Sequence, residues 1–221
     1  MRGEYLQQVS EGETAVILSE LRNVLSRNVA GDIVEFGCYR GDTSLLIERV
    51  LEREFPESLS RLWIYDSFEG LPAKTSKDAS AAGDGFRQGE LLVSKREVVE
   101  RFKKAGLRVP RIRKGFFENL NDGGVRGFSV SEMNLTTSDL PGEIAFAFLD
   151  GDLYQSIKTS LELVTPRMDR QDGVILVHDY NNPQLPGVAR AVDEWLTKFS
   201  ASTQKTAPKL QRRESLALIS W

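Results

Sequence analysis

The sequence predicts an α/β domain: a mostly parallel sheet with helices on both faces. Three observations predict it. Short, nearly continuous apolar runs alternate with stretches of helical periodicity along the whole chain, as strands buried on both faces require. The first apolar run, Ile33-Val34-Glu35-Phe36, passes through a turn bracketed by Gly37 and Gly41 into a helical stretch. The polar exceptions Asp66, Asp150 and Asp179 fall at the carboxyl ends of such runs, where sheets of this kind bind ligands.

Bulk properties fit one domain. The chain has 221 residues, 40% of them apolar and 28% charged, ordinary values for a globular protein. A net charge of -3 and a pI of about 5.4 argue against a nucleic-acid partner. The local basic set Lys205, Lys209, Arg212 and Arg213 reads as a solvated face rather than a phosphate track. Cys38 is the single cysteine, which excludes an internal disulfide framework and points to a reducing, cytoplasmic setting. The amino-terminal stretch has no signal-peptide core, and no apolar run approaches the roughly 18 residues that span a bilayer. No membrane partner is expected.

The elements follow in order. Ser10-Glu11-Gly12-Glu13 has capping-box spacing, and Val16, Ile17, Leu21, Val24 and Leu25 recur at helical intervals behind it. This predicts a helical cap over residues 1–30, with the main domain from 31 to 221. Ile33 to Phe36 is a strand, Asp42 to Phe55 a helix stopped by Pro56, and Leu62 to Tyr65 a second strand ending at Asp66. This β-α-β unit implies parallel strands and a right-handed crossover.

Residues 67–92 carry Pro72, Gly83, Gly85, Gly89 and a Ser/Ala-rich middle. The stretch is too polar and broken for core, and it starts where a ligand would sit. It reads as a lid-like insertion, with disorder as the alternative.

Ser94 to Ala105 is a helix ended by Gly106, and Val109 to Arg113 a short strand. Asn119 to Asp139 is irregular, with a short helix near Val130 to Asn134. Glu143 to Leu149 is a buried strand, and Leu153 to Val164 a helix stopped by Pro166. Gly173 to Val177 is the next strand, and Val188 to Phe199 the last helix. The tail from Lys209 closes with one strand, Ser215 to Trp221.

Two constellations carry chemistry. Glu35-Phe36-Gly37-Cys38-Tyr39-Arg40-Gly41 is acidic-x-Gly-x-x-x-Gly, not the dinucleotide fingerprint, because position 39 is Tyr. Gly37 admits a close backbone approach. Gly41 opens a helix whose N–H groups favour an anion, and Thr43 and Ser44 add hydroxyls there. The turn is either a ligand cradle or merely structural. Asp66, at the end of the next strand, fits a carboxylate accepting both hydroxyls of a ribose; the plain alternative is a turn cap.

Asp150-Gly151-Asp152 and His178-Asp179 form the second constellation. On neighbouring strands about 4.8 Å apart, Asp150 and Asp179 share one cation, Mg²⁺, or Mn²⁺ equally if His178 joins. Otherwise each caps the element that follows. A Cys38–His178 nucleophile pair is disfavoured, since another strand would lie between them.

The series Gly31-Asp32-Ile33-Val34-Glu35-Phe36-Gly37, Tyr65-Asp66-Ser67-Phe68-Glu69-Gly70-Leu71-Pro72, Leu149-Asp150-Gly151-Asp152-Leu153-Tyr154 and His178-Asp179-Tyr180 resembles the macrocin O-methyltransferase (TylF-like) family. The likeness runs over about residues 10 to 198. It implies a Rossmann-like class I methyltransferase fold with S-adenosylmethionine as donor and Mg²⁺ as cofactor. It also implies strand order 3-2-1-4-5-7-6 with strand 7 antiparallel. By resemblance, Glu35, Gly37 and Gly41 border the methionine part of the donor and Asp66 holds the ribose. Phe36, Thr43, Ser44, Ser67 and Phe116 complete the expected donor site. Asp150 and Asp179 match metal ligands and Asp152 the general base. His178 stands where the family often has Asp, as a third candidate ligand. The acceptor implied is a small hydroxylated molecule: a sugar or another vicinal diol of a natural product or glycan precursor. The amino-terminal helix either covers the donor pocket or serves a homo-oligomer contact. Two rival readings are a metal-dependent glycosyltransferase using Asp150-Gly151-Asp152, and a non-catalytic module that keeps only the donor pocket.

Overall fold

A computed structural model describes residues 9–83, 85–123, 138–202 and 207–221. Its sheet has seven strands in the order β3-β2-β1-β4-β5-β7-β6. They are β1 (Asp32–Phe36), β2 (Leu62–Asp66), β3 (Arg111–Lys114), β4 (Ile144–Leu149), β5 (Val174–Val177), β6 (Lys209–Arg213) and β7 (Leu216–Ser220). Strands β1 to β5 pair in parallel, and β7 runs antiparallel to both β5 and β6. The helices are α1 (Glu11–Ser26), α2 (Asp42–Arg53), α3 (Lys95–Lys104), α4 (Tyr154–Val164) and α5 (Pro186–Ser202).

The alternation of side chains along each strand divides the core in two. On one face Val34, Phe36, Tyr65, Ala147, Leu149, Ile175 and Val177 pack with Ile157, Leu161, Val188 and Val192 of α4 and α5. On the other, Ile33, Ile64, Phe146, Phe148 and Leu176 meet Ile17 and Leu21 of α1, Ile47 and Leu51 of α2, and Val98 and Phe102 of α3. Strand β4 is buried along its full length. Its continuous apolar run is the consequence of lying centrally between these two layers.

The expected elements form, with one addition. The tail is a hairpin, not one strand: β6 and β7 pair in register from Lys209↔Ser220 to Arg213↔Leu216. Strand β6 escapes the apolar pattern because Leu210 is its one apolar residue. It is an edge strand, where charges block pairing with another chain. Lys209, Arg212 and Arg213 are exposed on it, as a solvated basic face should be; Lys205 and the helix expected near Val130 to Asn134 lie outside the described residues. No helix among the described residues is long and apolar enough to cross a membrane.

Helix α1 begins as its spacing predicts. Ser10 Oγ accepts from Glu13 N at 3.2 Å, and Glu13 Oε2 accepts from Ser10 N at 2.7 Å. The insertion after β2 closes on itself at its base, where Leu71 N donates to Glu90 O at 2.9 Å and Gly89 N to Leu71 O at 3.0 Å.

Candidate active site

Parallel register aligns the strand ends. Phe36 pairs with Tyr65 and with Leu149, and Leu149 with Val177. The next residues, Gly37, Asp66, Asp150 and His178, therefore emerge side by side at one edge of the sheet.

The first turn and the end of β4 are in contact through their backbones. Asp150 N donates to Phe36 O at 2.7 Å and Gly37 N to Tyr65 O at 2.8 Å. Gly37 has φ +86°, and a Cβ there would overlap the carbonyl oxygen of Asp150. Only glycine meets both demands. Gly41, at φ +78°, is the N-cap of α2 and offers it no side chain.

Asp66 is a member of this turn. Its Oδ2 accepts from Cys38 N at 2.9 Å and Tyr39 N at 3.1 Å, and its Oδ1 from Phe68 N at 2.8 Å. A carboxylate has about four acceptor sites, so about one is left for a ligand. Asp66 thus caps the turn, as the plain alternative has it, with about one acceptor site left over.

Behind the turn, Glu35 is 1% exposed and Ser44 fully buried, and Ser44 Oγ donates to Glu35 Oε2. Burial, reinforced by the charges of Asp150, Asp66 and Asp42, pushes the Glu35 carboxyl up to about 8, against the pull of Ser44. Phe36 is wholly buried, stacked on Tyr65 with ring centroids 4.4 Å apart. Its ring faces the core, and only its carbonyl takes part in the turn.

A cleft opens above these residues, lined by Gly37, Asp66, Ser67, Phe116, Asp150 and Asp152. Gly70, Leu71, Pro72 and Leu91 of the insertion wall one side. A second hollow takes in Glu35, Cys38, Thr43, Thr14 and Arg101. Tyr39 and Asp150 border both, so the two form one trough along the strand ends. Of the expected donor residues, Gly37, Asp66, Ser67 and Phe116 line the cleft and Glu35 and Thr43 the hollow. Phe36, Gly41 and Ser44 support the trough from behind.

The carboxylates gather around the chain's single histidine. His178 Nδ1 lies 2.8 Å from Asp150 Oδ1 and 3.3 Å from Asp179 Oδ2. Its Nε2 lies 3.5 Å from Glu13 Oε1, and Glu13 also accepts from Ser215 Oγ. His178 is 4% exposed. Burial alone would push the imidazole down; the carboxylates of Asp150, Asp179 and Glu13 outweigh it and hold His178 well above the usual histidine range. The same contact holds Glu13 well below the usual carboxylate range. Asp152 follows Asp150 at φ +59° and lines the cleft. Burial, with Asp150 and Asp179 as neighbouring like charges, drives its carboxyl upward. One oxygen of Asp150, one of Asp179 and one ring nitrogen of His178 lie within 4.8 Å of one another. That donor set fits a divalent cation accepting oxygen and imidazole ligands.

Two residues the motifs do not reveal complete the site. Glu13 is one: its capping role was legible, its contact with His178 was not. Asp78 in the insertion is the other. Helix α4 has no side-chain cap at Leu153. Asp78, 2% exposed, supplies one from a distance: Oδ1 accepts from Tyr154 N at 2.6 Å, and Oδ2 from Thr75 N and Thr75 Oγ1 at 2.8 Å each. The insertion is thereby tied to the turn that carries Asp152. Lys77 adds an ion pair to Glu194, 2.6 Å, and Ser80 a bond to Pro183 O, 2.7 Å. A Ser/Ala-rich stretch gives no hint of a buried aspartate that caps a helix 76 residues away.

The described fold is similar to the O-methyltransferase NovP, with 24% identity, a TM-score of 0.70 and coverage of 94% of this chain and 78% of the other. It is also similar to the calicheamicin methyltransferase CalS11, with 22% identity, a TM-score of 0.68 and coverage of 96% and 81%. The fold is that of class I methyltransferases. In sequence, the chain is 31% identical over 166 residues to an 8-demethyl-8-(2,3-dimethoxy-alpha-L-rhamnosyl)-tetracenomycin-C 4'-O-methyltransferase of Streptomyces olivaceus, covering 72% of this chain. It is 28% identical over 190 residues to the demethyldecarbamoylnovobiocin O-methyltransferase of Streptomyces niveus, covering 83%. The matches span 57% and 65% of those relatives' lengths. The model of the macrocin-O-methyltransferase (TylF) family matches residues 15–207, and the chain belongs to that family.

Proposed function

We propose that the protein is an S-adenosylmethionine-dependent O-methyltransferase acting on a hydroxyl of a sugar or another vicinal diol. The observation that carries this reading is the placement of Asp152. It lines the same cleft as Gly37 and Asp66, two residues after Asp150 of the Asp150–His178–Asp179 cluster. The family relation supports the donor, and the relatives' rhamnosyl and novobiocin-type substrates support the acceptor class. The single cysteine fits a reducing cytoplasm.

In this reading the adenosine lies in the cleft against Ser67, Leu71 and Phe116, and the methionine part lies toward Glu35 and Thr43. Asp66 holds the glycine turn through its three backbone bonds and offers its remaining acceptor site to the ribose. Asp150, Asp179 and His178 would hold a divalent cation, Mg²⁺ or Mn²⁺, which when bound supplies Lewis acidity that favours loss of a hydroxyl proton. Asp152 accepts the proton from the acceptor hydroxyl. The new carbon–oxygen bond forms as the carbon–sulfur bond breaks. The sulfonium leaves as a neutral thioether, and the proton remains on Asp152. Pro72, Leu71 and Leu91 of the insertion keep water from the donor sulfur.

Titration calorimetry tests the reading. S-adenosylhomocysteine should bind one site per chain, with uridine and guanosine diphosphates giving no heat. Binding of a nucleoside diphosphate instead would favour a glycosyltransferase and reject it.

A further inference from the structure

Among the contacts at the strand ends, the one least expected joins α1 to His178. Helix α1 begins about 140 residues earlier than Asp150, and a capping box needs nothing from its glutamate but the backbone of Ser10. Here the glutamate's second oxygen continues inward. Glu13 is 6% exposed and His178 4%; Glu13 Oε1 faces Nε2 at 3.5 Å while Asp150 and Asp179 face Nδ1. The two ring nitrogens therefore see different surroundings. Such a carboxylate fixes ring orientation and tautomer when the opposite nitrogen binds a metal.

We infer that Glu13 is a positioning residue that turns His178 Nδ1 toward Asp150 and Asp179, building a two-carboxylate, one-imidazole site that selects a first-row transition-metal dication over Mg²⁺. The inference rests on the reading of this cluster as a cation site. Its chemistry is direct. A cation at the cluster takes the place of the Nδ1 proton. The Nε2–H is then left facing Glu13, and a flipped ring would turn Nε2 to the cation and Nδ1 to Glu13, reversing the arrangement shown. An imidazole nitrogen is a poor ligand for Mg²⁺, which prefers oxygen, and a good one for Co²⁺, Ni²⁺ or Zn²⁺. Ser215 Oγ donates to the same Glu13 oxygen, so the hairpin before β7 also fixes the glutamate.

Co²⁺ is the probe, added to the full chain freed of any histidine tag. The chain has one histidine, so imidazole signals are unambiguous. Proton NMR of the Co²⁺ form should show one hyperfine-shifted, solvent-exchangeable imidazole N–H. A hundredfold or so excess of Mg²⁺ should not displace the Co²⁺. Glu13→Ala should weaken Co²⁺ binding about 10–100-fold and erase the N–H signal. Ser10→Ala, which breaks the capping box but not the contact with His178, should lower helix stability and leave Co²⁺ affinity unchanged. His178→Asp should retain a cation site and lose the preference over Mg²⁺. Co²⁺ binding without an imidazole signal, equal displacement by Mg²⁺, or an unaffected Glu13→Ala would each overturn the inference. S-adenosylhomocysteine binding, measured on the same samples, separates the claims: intact donor binding with no Co²⁺ binding rejects the cation site alone, whereas loss of donor binding in the unmodified chain rejects the methyltransferase reading.

Discussion

The two halves of the strand-end site are held by different means. The half that the proposed reading gives to the donor is held by backbone. Gly37 sits against the Asp150 carbonyl, and three main-chain N–H groups converge on Asp66. The other half, which the proposed reading gives to the acceptor, is held by side chains that face one another, with the His178 ring among Asp150, Asp179 and Glu13. A backbone-built half tolerates little change in shape, whereas a side-chain-built half tolerates changes in shape but little change in charge. The difference predicts which substitutions damage binding and which damage chemistry.

The largest effect belongs to the charged half. Asp152→Asn should lower turnover on a sugar-diol acceptor by about 10²–10⁴-fold, the usual range for a lost general base. It should leave S-adenosylhomocysteine affinity unchanged in calorimetry. Unaltered turnover would remove Asp152 from the base role.

Gly37→Ala tests the backbone half. The added Cβ meets Asp150 at a left-handed φ, at a cost of roughly 3–5 kcal/mol. Urea unfolding should show the loss, and donor binding should disappear with it. An alanine variant of normal stability would contradict the close approach.

Glu35, buried behind the first turn, should give a pH signature. Its carboxyl titrates near 8 in the fold against 4.5 for an ordinary glutamate. Between those values the folded chain keeps a proton that the unfolded chain has lost. Stability therefore falls as pH rises through this window and levels off above it. Glu35→Gln should flatten the slope, gaining roughly a few kcal/mol over the unmodified chain at the alkaline end and nothing near the acid end. Parallel slopes in the two proteins would mean that Glu35 is ionised throughout.

The smallest effect tests the tie between insertion and site. Asp78→Ala removes the cap of α4 and should cost about 1–2 kcal/mol. Hydrogen exchange should quicken both at Tyr154 and in the insertion. Exchange that quickens at neither place would show that Asp78 does not couple them.

The sheet was legible because its strands are buried on both faces and read as apolar runs, and the strand-end aspartates were legible as interruptions of those runs. Strand β6 was not, because this edge strand half-buries a single apolar residue, Leu210, and shows no period. The site was legible where one short stretch defines it, as at Gly37 or Asp150-Gly151-Asp152. It was illegible where a residue serves two elements at once. Asp66 reads as a ribose carboxylate or a turn cap, and three N–H groups occupy it as a cap. Ser44 reads as a hydroxyl donor at a helix start, yet burial turns it inward to Glu35. Glu13 looks like a local cap and Asp78 shows no signal at all, and only the fold brings them to His178 and Tyr154.

A crystal structure of the chain with S-adenosylhomocysteine and Mn²⁺ tests the central claim most directly. The account predicts the thioether product along the trough from Ser67 to Glu35, its sulfur facing Asp152, and the cation bound by Asp150, Asp179 and His178 Nδ1. Product bound elsewhere, or a trough in which Asp152 is remote from the sulfur, would contradict it.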